Sequence, residues 1–456
     1  MQRRGKAACL GHCTAAVPPR TGQAVTRVFP NRGLALLLLA ALAAYVIARG
    51  IVPASSRVTS DFPSYFTAAR IVAEGGSAER LYDIPWFQEQ MRRYQIGTPA
   101  EGKFSPFPPP TALLLVPLAS LEPLNALRVV TALSVLCLIG SIILLARILA
   151  WRVADAALLV LLSGAAILGA LRLGQPYILV SLSCILGYYA YLAGRPWLSG
   201  ACFGLFTPLK YFPVIFLVYF AVQKRWQVVI GGALAILAIG LASVAVLGWK
   251  IHEQYLTSVL GSHLVAKLSM QDPFAASFQS FDTLYRRWFV FDGAANPRPV
   301  VAAPVIAGMA VVVTKLAIAL LTIATLVRLA RAPPALAIAP SIGLLGIVTL
   351  LLAPGTATYH FVLLWLPVGL LVDSFLRVRS PACAYLVLGC YALIGFFPYG
   401  LTARFEGRGV LSVLAYPRLF LLLTMFAVCV RCLWSRAAAL GLGTDGAAVD
   451  GAIARR

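Results

Sequence analysis

Ten apolar runs organise the chain, at approximately 34–52, 124–149, 153–171, 176–194, 226–248, 301–329, 333–353, 359–376, 381–399 and 410–431. Each is near the ~20 residues that carry a helix across a bilayer, so the pattern predicts an all-α polytopic membrane protein of about 10–12 transmembrane helices. The stretch from 197 to 222 departs from it. Trp197–Thr207 and Tyr211–Val222 are each too short to cross, and Pro208-Leu209-Lys210 separates them. A helical hairpin that enters and leaves on one side fits this arrangement, with a single kinked span as the alternative.

Two polar segments between the runs are long enough to be shaped. In the first, 54–123, Phe62, Phe66, Ala69 and Ala73 recur at helical spacing, which predicts an amphipathic helix lying on the membrane surface. Gly75-Gly76 ends it, and a second short helix is expected around Ile84–Tyr94. The segment closes on FSPFPPP at 104–110, an extended stretch whose prolines forbid a helix until Thr111. The second segment, 249–300, contains KIHEQYLTSVLGSHLVAKL and then FQSFDTLYRRW. The expected organisation is a basic tail over 1–33, a membrane domain over 34–432 and a small-residue-rich, disordered tail over 433–456. The first run lacks a convincing cleavage site and reads as a retained helix.

Charge orients these elements. The chain of 456 residues is 60% hydrophobic and 12% charged, with net charge +22. A soluble domain carries roughly 25% charged residues, so this composition belongs to a membrane protein. The basic residues sit in short groups between apolar runs, which excludes a nucleic-acid-binding stripe and reads as topology. With the hairpin and a cytoplasmic N-terminus, Arg147/Arg152, Arg195, Lys224/Arg225, Arg328/Arg331, Arg377/Arg379 and Arg431/Arg436 all fall inside. A single span would turn every basic pair after Lys224 outward. Both termini are therefore expected in the cytoplasm. Among the acids only Asp155, Asp373, Asp445 and Asp450 fall inside, so polar chemistry gathers on the outer face.

Cys137, Cys184, Cys202, Cys383 and Cys390 lie in or beside apolar runs and read as small core residues. Cys9 and Cys13 flank His12, and Cys429 and Cys432 close a helix; neither pair has the second pair that a zinc site needs, so no metal is predicted.

The outer polar residues carry the candidate chemistry. Asp61 re-emerges just after the first run, where an ionisable group at the membrane edge is a functional candidate and a helix N-cap is its plain alternative. Asp83 reads as a cap. Gln175 follows Gly174 in a tight outer turn, and Lys210 sits at the hairpin tip, where a lysine needs an anion or a water-filled cavity. His360 opens a span. Arg286/Arg287, Arg404, Arg408 and Arg418 add outer cations, while Lys315, inside a long run, receives no role. One carboxylate, one histidine and several cations on one face suit transfer from a phosphate-bearing lipid. A transporter or lipid flippase is the alternative; it would place ionisable groups at the bilayer midplane in repeated halves.

The ordered motifs resemble those of glycosyltransferase family 87. They are Asp61-x3-Tyr65-x2-Ala68-Ala69, then Gly75, Leu81-Tyr82-Asp83, the Phe-x-x-Phe-Pro-Pro of 104–109, Gly174-Gln175, Lys210, Gln279-Ser280 and Pro354 to His360. The resemblance implies a GT-C type fold with outer-face amphipathic helices in a cytoplasmic (inner) membrane. It implies a polyprenyl-phosphate sugar as donor, a lipid or glycan acceptor, no separate cofactor and inversion at the anomeric carbon. Asp61 would be the general base; Lys210, His360, Gln175, Arg404 and Arg418 would meet the donor; Tyr65, Tyr82 and Gln279 would line the acceptor side or the cavity. Phe107, Tyr177, Tyr211, Phe278 and Ala353 depart from the family's usual residues, which leaves the donor sugar open and keeps a catalytically silent relative in view.

Overall fold

The computed structural model describes residues 28–29, 31–58, 61–98, 101–264 and 272–441. The basic tail through residue 27, with Cys9, His12 and Cys13, lies outside them, as do Asp445 and Asp450. Among the described residues the chain is helical, and its one β-contact is an isolated bridge between Asp292 and Asn296.

Six helices among the described residues are long and apolar enough to cross a membrane: α1 (Arg32–Ala54), α4 (Pro123–Leu149), α10 (Trp226–Leu247), α12 (Pro304–Leu329), Thr358–Arg377, which contains α14 (Trp365–Arg377), and α16 (Pro417–Gly441), over Pro417–Ser435. The bent pair α5 (Val153–Leu161) and α6 (Ala165–Arg172) is long and apolar enough together for a seventh, and α7 (Tyr177–Leu192), α13 (Pro334–Leu352) and α15 (Pro381–Phe396) are shorter apolar helices. Two further helices, α2 (Asp61–Ala73) and α3 (Ile84–Arg93), precede α4, and α11 (Phe281–Phe289) precedes α12. The lipid-facing stripe is plain on α12, where Val305, Met309, Val312, Leu316, Leu320, Ile323 and Val327 are exposed at helical spacing. In water such a face would not persist; in hydrocarbon it needs no cover. The molecule is an all-α polytopic membrane protein.

The segment 197–222 is a hairpin, and its contacts show why. Chain from α8 (Pro196–Leu205) climbs back along α7: Phe203 lies against Gly187, Ser183 Oγ donates to Cys202 O at 2.7 Å, and Lys210 Nζ arrives over the Tyr177 ring at 5.0 Å. Then α9 (Val214–Val222) descends again, with Phe212 against Tyr177 at 5.9 Å and Phe220 against Tyr191 at 4.8 Å. Arms of 10 and 9 residues reach only about 15 Å, half a hydrocarbon core. Gly200 and Gly204 let α8 touch the backbone of α10 at Val228 and Gly232, where any Cβ would collide. The hairpin is thereby locked to a full-length helix.

Several sequence expectations are corrected. The span expected over 153–171 is broken by 72° between α5 and α6. Gly164 there takes φ 35° and meets the Gly395 carbonyl of α15, so the crossing helix occupies the place a straight continuation would need. Helix α2 does not lie on a surface. Phe62 through Ala69 are buried on every side, because α4, the proline stretch and the turn before α7 wrap it. A 3-10 turn starts at Pro109, before Thr111. Cys383 is no isolated core thiol: antiparallel α15 and α16 bring it to Cys432 as a disulfide, Cα atoms 6.9 Å apart. Helix α16 continues to Gly441, past the expected end of the membrane domain.

Candidate active site

One end of the bundle gathers the first residue of α2, the start of α7, the hairpin tip and the 3-10 turn Thr358–Leu364. They enclose a cavity of about 370 Å³ lined by Asp61, Lys103, Lys210 and His360, with Glu101 and Asp272 exposed at its rim. That volume lies in the range of small-ligand sites.

Three hydrogen bonds link the acid to the lysine. Gln175 Nε2 donates to Asp61 Oδ2 at 2.6 Å, the Tyr65 hydroxyl donates to Gln175 Oε1 at 2.8 Å, and Lys210 Nζ donates to the Tyr65 oxygen at 3.2 Å. Tyr65 and Gln175 are each about 1% exposed and stand behind the cavity wall. The turn that presents Gln175 depends on Gly174, whose φ of 62° and 2.8 Å approach of a notional Cβ to Phe62 leave no room for a side chain. Burial, then the charge of Asp61, push the Tyr65 hydroxyl well above its ordinary pKa, so it stays protonated and keeps donating.

Lys210 sits in an aromatic cage. Its nitrogen is 4.9 Å from the Phe107 ring, 5.0 Å from Tyr177 and 5.7 Å from Tyr65. Ring faces and one hydroxyl stabilise the buried ammonium without neutralising it, and an anion entering the cavity would meet its full charge. His360 is fixed from two directions. Its Nδ1 accepts the Ala357 N–H at 3.1 Å, which leaves the proton of the neutral ring on Nε2, and its ring packs on Tyr177 at 4.6 Å and Phe212 at 5.0 Å.

The other residues singled out in the sequence do not line this cavity. Tyr82 donates to the Phe107 carbonyl at 2.6 Å and stacks on Tyr255, so it holds the wall that covers Lys210. Gln279 is buried, spanning the Ala276 and Ala415 carbonyls and accepting from the Arg418 N–H at 3.0 Å. The Arg418 guanidinium binds the Ile394 carbonyl near the end of α15 at 3.1 Å and Thr358 Oγ1 at 2.8 Å, two residues before His360. Arg404 is exposed and lies over Phe405 at 5.0 Å. Asp83 caps α3 at Trp86 N and pairs with Arg80 at 2.8 Å. Lys315 acquires a partner: it meets Asp282 of α11 at 2.6 Å and fastens that helix to α12. Arg287 ties α11 to the carbonyls of Phe274 and Ala295 and to Glu406.

Sequence reading missed Lys103. Burial pulls its ammonium below the usual lysine range, and the Asp61 carboxylate opposes that drift. Its place three residues before Pro106, where the proline stretch begins, was the available signal. Tyr255 and Tyr359, which help give the cavity its aromatic walls, were missed as well, whereas Tyr177 and Tyr211, singled out as departures from the family's usual residues, do line it.

The family model for glycosyltransferase family 87 matches residues 106–354, more than half of the chain. The match contains Phe107, Gln175 and Lys210; Asp61 and His360 flank it and are joined to it by the fold. No curated protein and no solved structure matches the chain. With that match covering the hairpin and two walls of the cavity, the chain belongs to glycosyltransferase family 87, and it is a glycosyltransferase.

Proposed function

We propose that this glycosyltransferase moves a hexose (mannose-like) or a pentose from a polyprenyl-phosphate carrier to a lipid or glycan acceptor, with inversion, at the outer face of a cytoplasmic membrane. The observation that carries the reading is one cavity with a fixed carboxylate, Asp61, and a caged, hydrogen-bonded ammonium, Lys210. The acceptor hydroxyl gives its proton to Asp61 as its oxygen bonds to the anomeric carbon. The bond from that carbon to the phosphate oxygen breaks, and its electron pair leaves with the polyprenyl phosphate. Lys210, the Nε2–H of His360 and Lys103 offset the charge that gathers on the leaving group. One displacement inverts the centre.

Topology supports the outer face. Arg147, Arg195, Lys224, Arg225, Arg328, Arg331, Arg377 and Arg379 stand at helix ends opposite Asp61, which the positive-inside rule assigns to the cytoplasm. Trp226, the first residue of α10, and Trp249, just past its end, are exposed on either side of a helix about 33 Å long, as interfacial anchors are.

The test is transfer in proteoliposomes from polyprenyl-phosphate mannose, glucose and arabinose, each labelled in the sugar, with total membrane lipid and glycan as acceptors. Label should move from at least one donor and stop in Asp61→Asn. Label moving from none of them, or only from nucleotide sugars, would contradict the reading.

A further inference from the structure

The bonds behind the cavity wall all run one way. Lys210 can only donate, so the Tyr65 oxygen must accept there; the Tyr65 proton then goes to the Gln175 oxygen, and the Gln175 amide nitrogen faces Asp61. This fixes the amide orientation of Gln175 without ambiguity, because the reverse flip would set a carbonyl against a carboxylate. Aligned donors polarise one another and strengthen the bond at the end of the series. Neither Tyr65 nor Gln175 lines the cavity, so neither is placed to hold sugar or phosphate.

We propose that Tyr65 and Gln175 are positioning residues, a one-way relay from Lys210 that holds the Asp61 carboxylate in one orientation and ties the base to the ammonium that meets the donor phosphate. The proposal rests on the reading of Asp61 as the base and assigns the two residues a task distinct from donor or acceptor contact. Its consequence is a coupling between subsites: the residue that takes the acceptor proton is oriented by the residue that receives the leaving group.

Removing one relay atom group tests it. In Tyr65→Phe the ring still packs on Phe107, 4.3 Å away, but Gln175 loses its donor and its amide is free to turn. The carboxylate then loses an aligned donor, so its charged form is less favoured and the acid limb of kcat/KM moves to higher pH, by about one unit. Other groups near the relay are Lys103 on the segment before the prolines, Lys210 on the hairpin, Tyr177 on α7, and Tyr359 with His360 before α14. These side chains are unchanged in Tyr65→Phe, which also removes the oxygen that Lys210 donates to; Gln175→Glu keeps that bond, so a shift shared by both variants reports Asp61. We expect kcat to fall about ten- to a hundredfold, the worth of one hydrogen bond to a charged group, with donor KM held within about twofold. Gln175→Glu should move the same limb further, by more than about one unit, because a second carboxylate then faces Asp61.

The assay uses whichever labelled polyprenyl-phosphate sugar transfers in the wild type. An acid limb unmoved in both variants, or a loss carried by donor KM alone, overturns the relay. If Tyr65→Phe fails to fold, Gln175→Glu decides by the same limb. Full turnover in Asp61→Asn would instead remove the base itself, whereas a dead Asp61→Asn beside an unshifted Tyr65→Phe removes only the relay.

Discussion

Asp155 and Asp373 at one end of the bundle, and half-buried Asp61 at the other, are held in opposite ways. At the end away from the cavity, Arg152 grips both oxygens of Asp155 at 2.9 and 2.7 Å and also reaches the Phe29 carbonyl. Asp373 receives Arg377 at 2.7 Å and the Trp151 indole at 3.2 Å, while Arg377 also binds the Leu149 carbonyl. Each pair forms within a turn or so of helix and staples neighbouring segments. At the cavity end, Asp61 accepts from a neutral amide across 114 residues, Lys103 stands close enough to feel its charge, and the Lys210 ammonium is linked to it through Tyr65 and Gln175. An arginine clamp satisfies a carboxylate and cancels its charge. An amide relay orients it and leaves it able to take a proton. Stability and reactivity ask different things of the same side chain, and the fold supplies each at its own end.

The comparison breaks most sharply at Asp61. Asp61→Asn should lower transfer about a thousandfold or more while the protein melts as before, read by label transfer beside a thermal unfolding trace. Lys210→Ala comes next: it removes a cation aimed at the donor phosphate, and donor KM should rise about ten- to a hundredfold with a smaller change in kcat. At the other end the effect should change kind. Asp373→Ala leaves Arg377 without its carboxylate and Trp151 without an acceptor, so it should cost about 2–4 kcal/mol of stability, while turnover per folded molecule stays at the wild-type value. Arg404→Ala should do least, within about 0.5 kcal/mol and about twofold in rate, because an exposed cation over one ring contributes little. A large loss of transfer in that variant would return Arg404 to the donor site.

What the sequence made legible follows from the range of the interactions. Apolar run length marked the spans, and two short arms around Lys210 with flanking charges marked the hairpin, because both are local. The break between α5 and α6 was invisible, since it depends on α15 crossing at Gly395, 231 residues after Gly164. Burial of α2 was misjudged for the same reason: its periodicity shows one apolar face, while its wrapping comes from α4 and the proline stretch. Position and motif resemblance singled out Asp61, Gln175, Lys210 and His360, which the fold brings to one end, yet could not separate a residue facing the cavity from one behind it. Gln175 and Tyr65 moved behind the wall, Gln279 and Arg418 became struts of the turn carrying His360, and Lys103 entered because folding sets it near Asp61. Lys315 lacked a role until α11 brought Asp282 to it.

The most direct measurement is sugar transfer from a labelled polyprenyl-phosphate donor by purified wild type and Asp61→Asn in proteoliposomes, with the anomeric configuration of the product assigned by NMR. The account predicts an inverted product from the wild type, and from the variant less than about a thousandth of that rate at an unchanged melting temperature. A retained configuration, or wild-type turnover by Asp61→Asn, would contradict it.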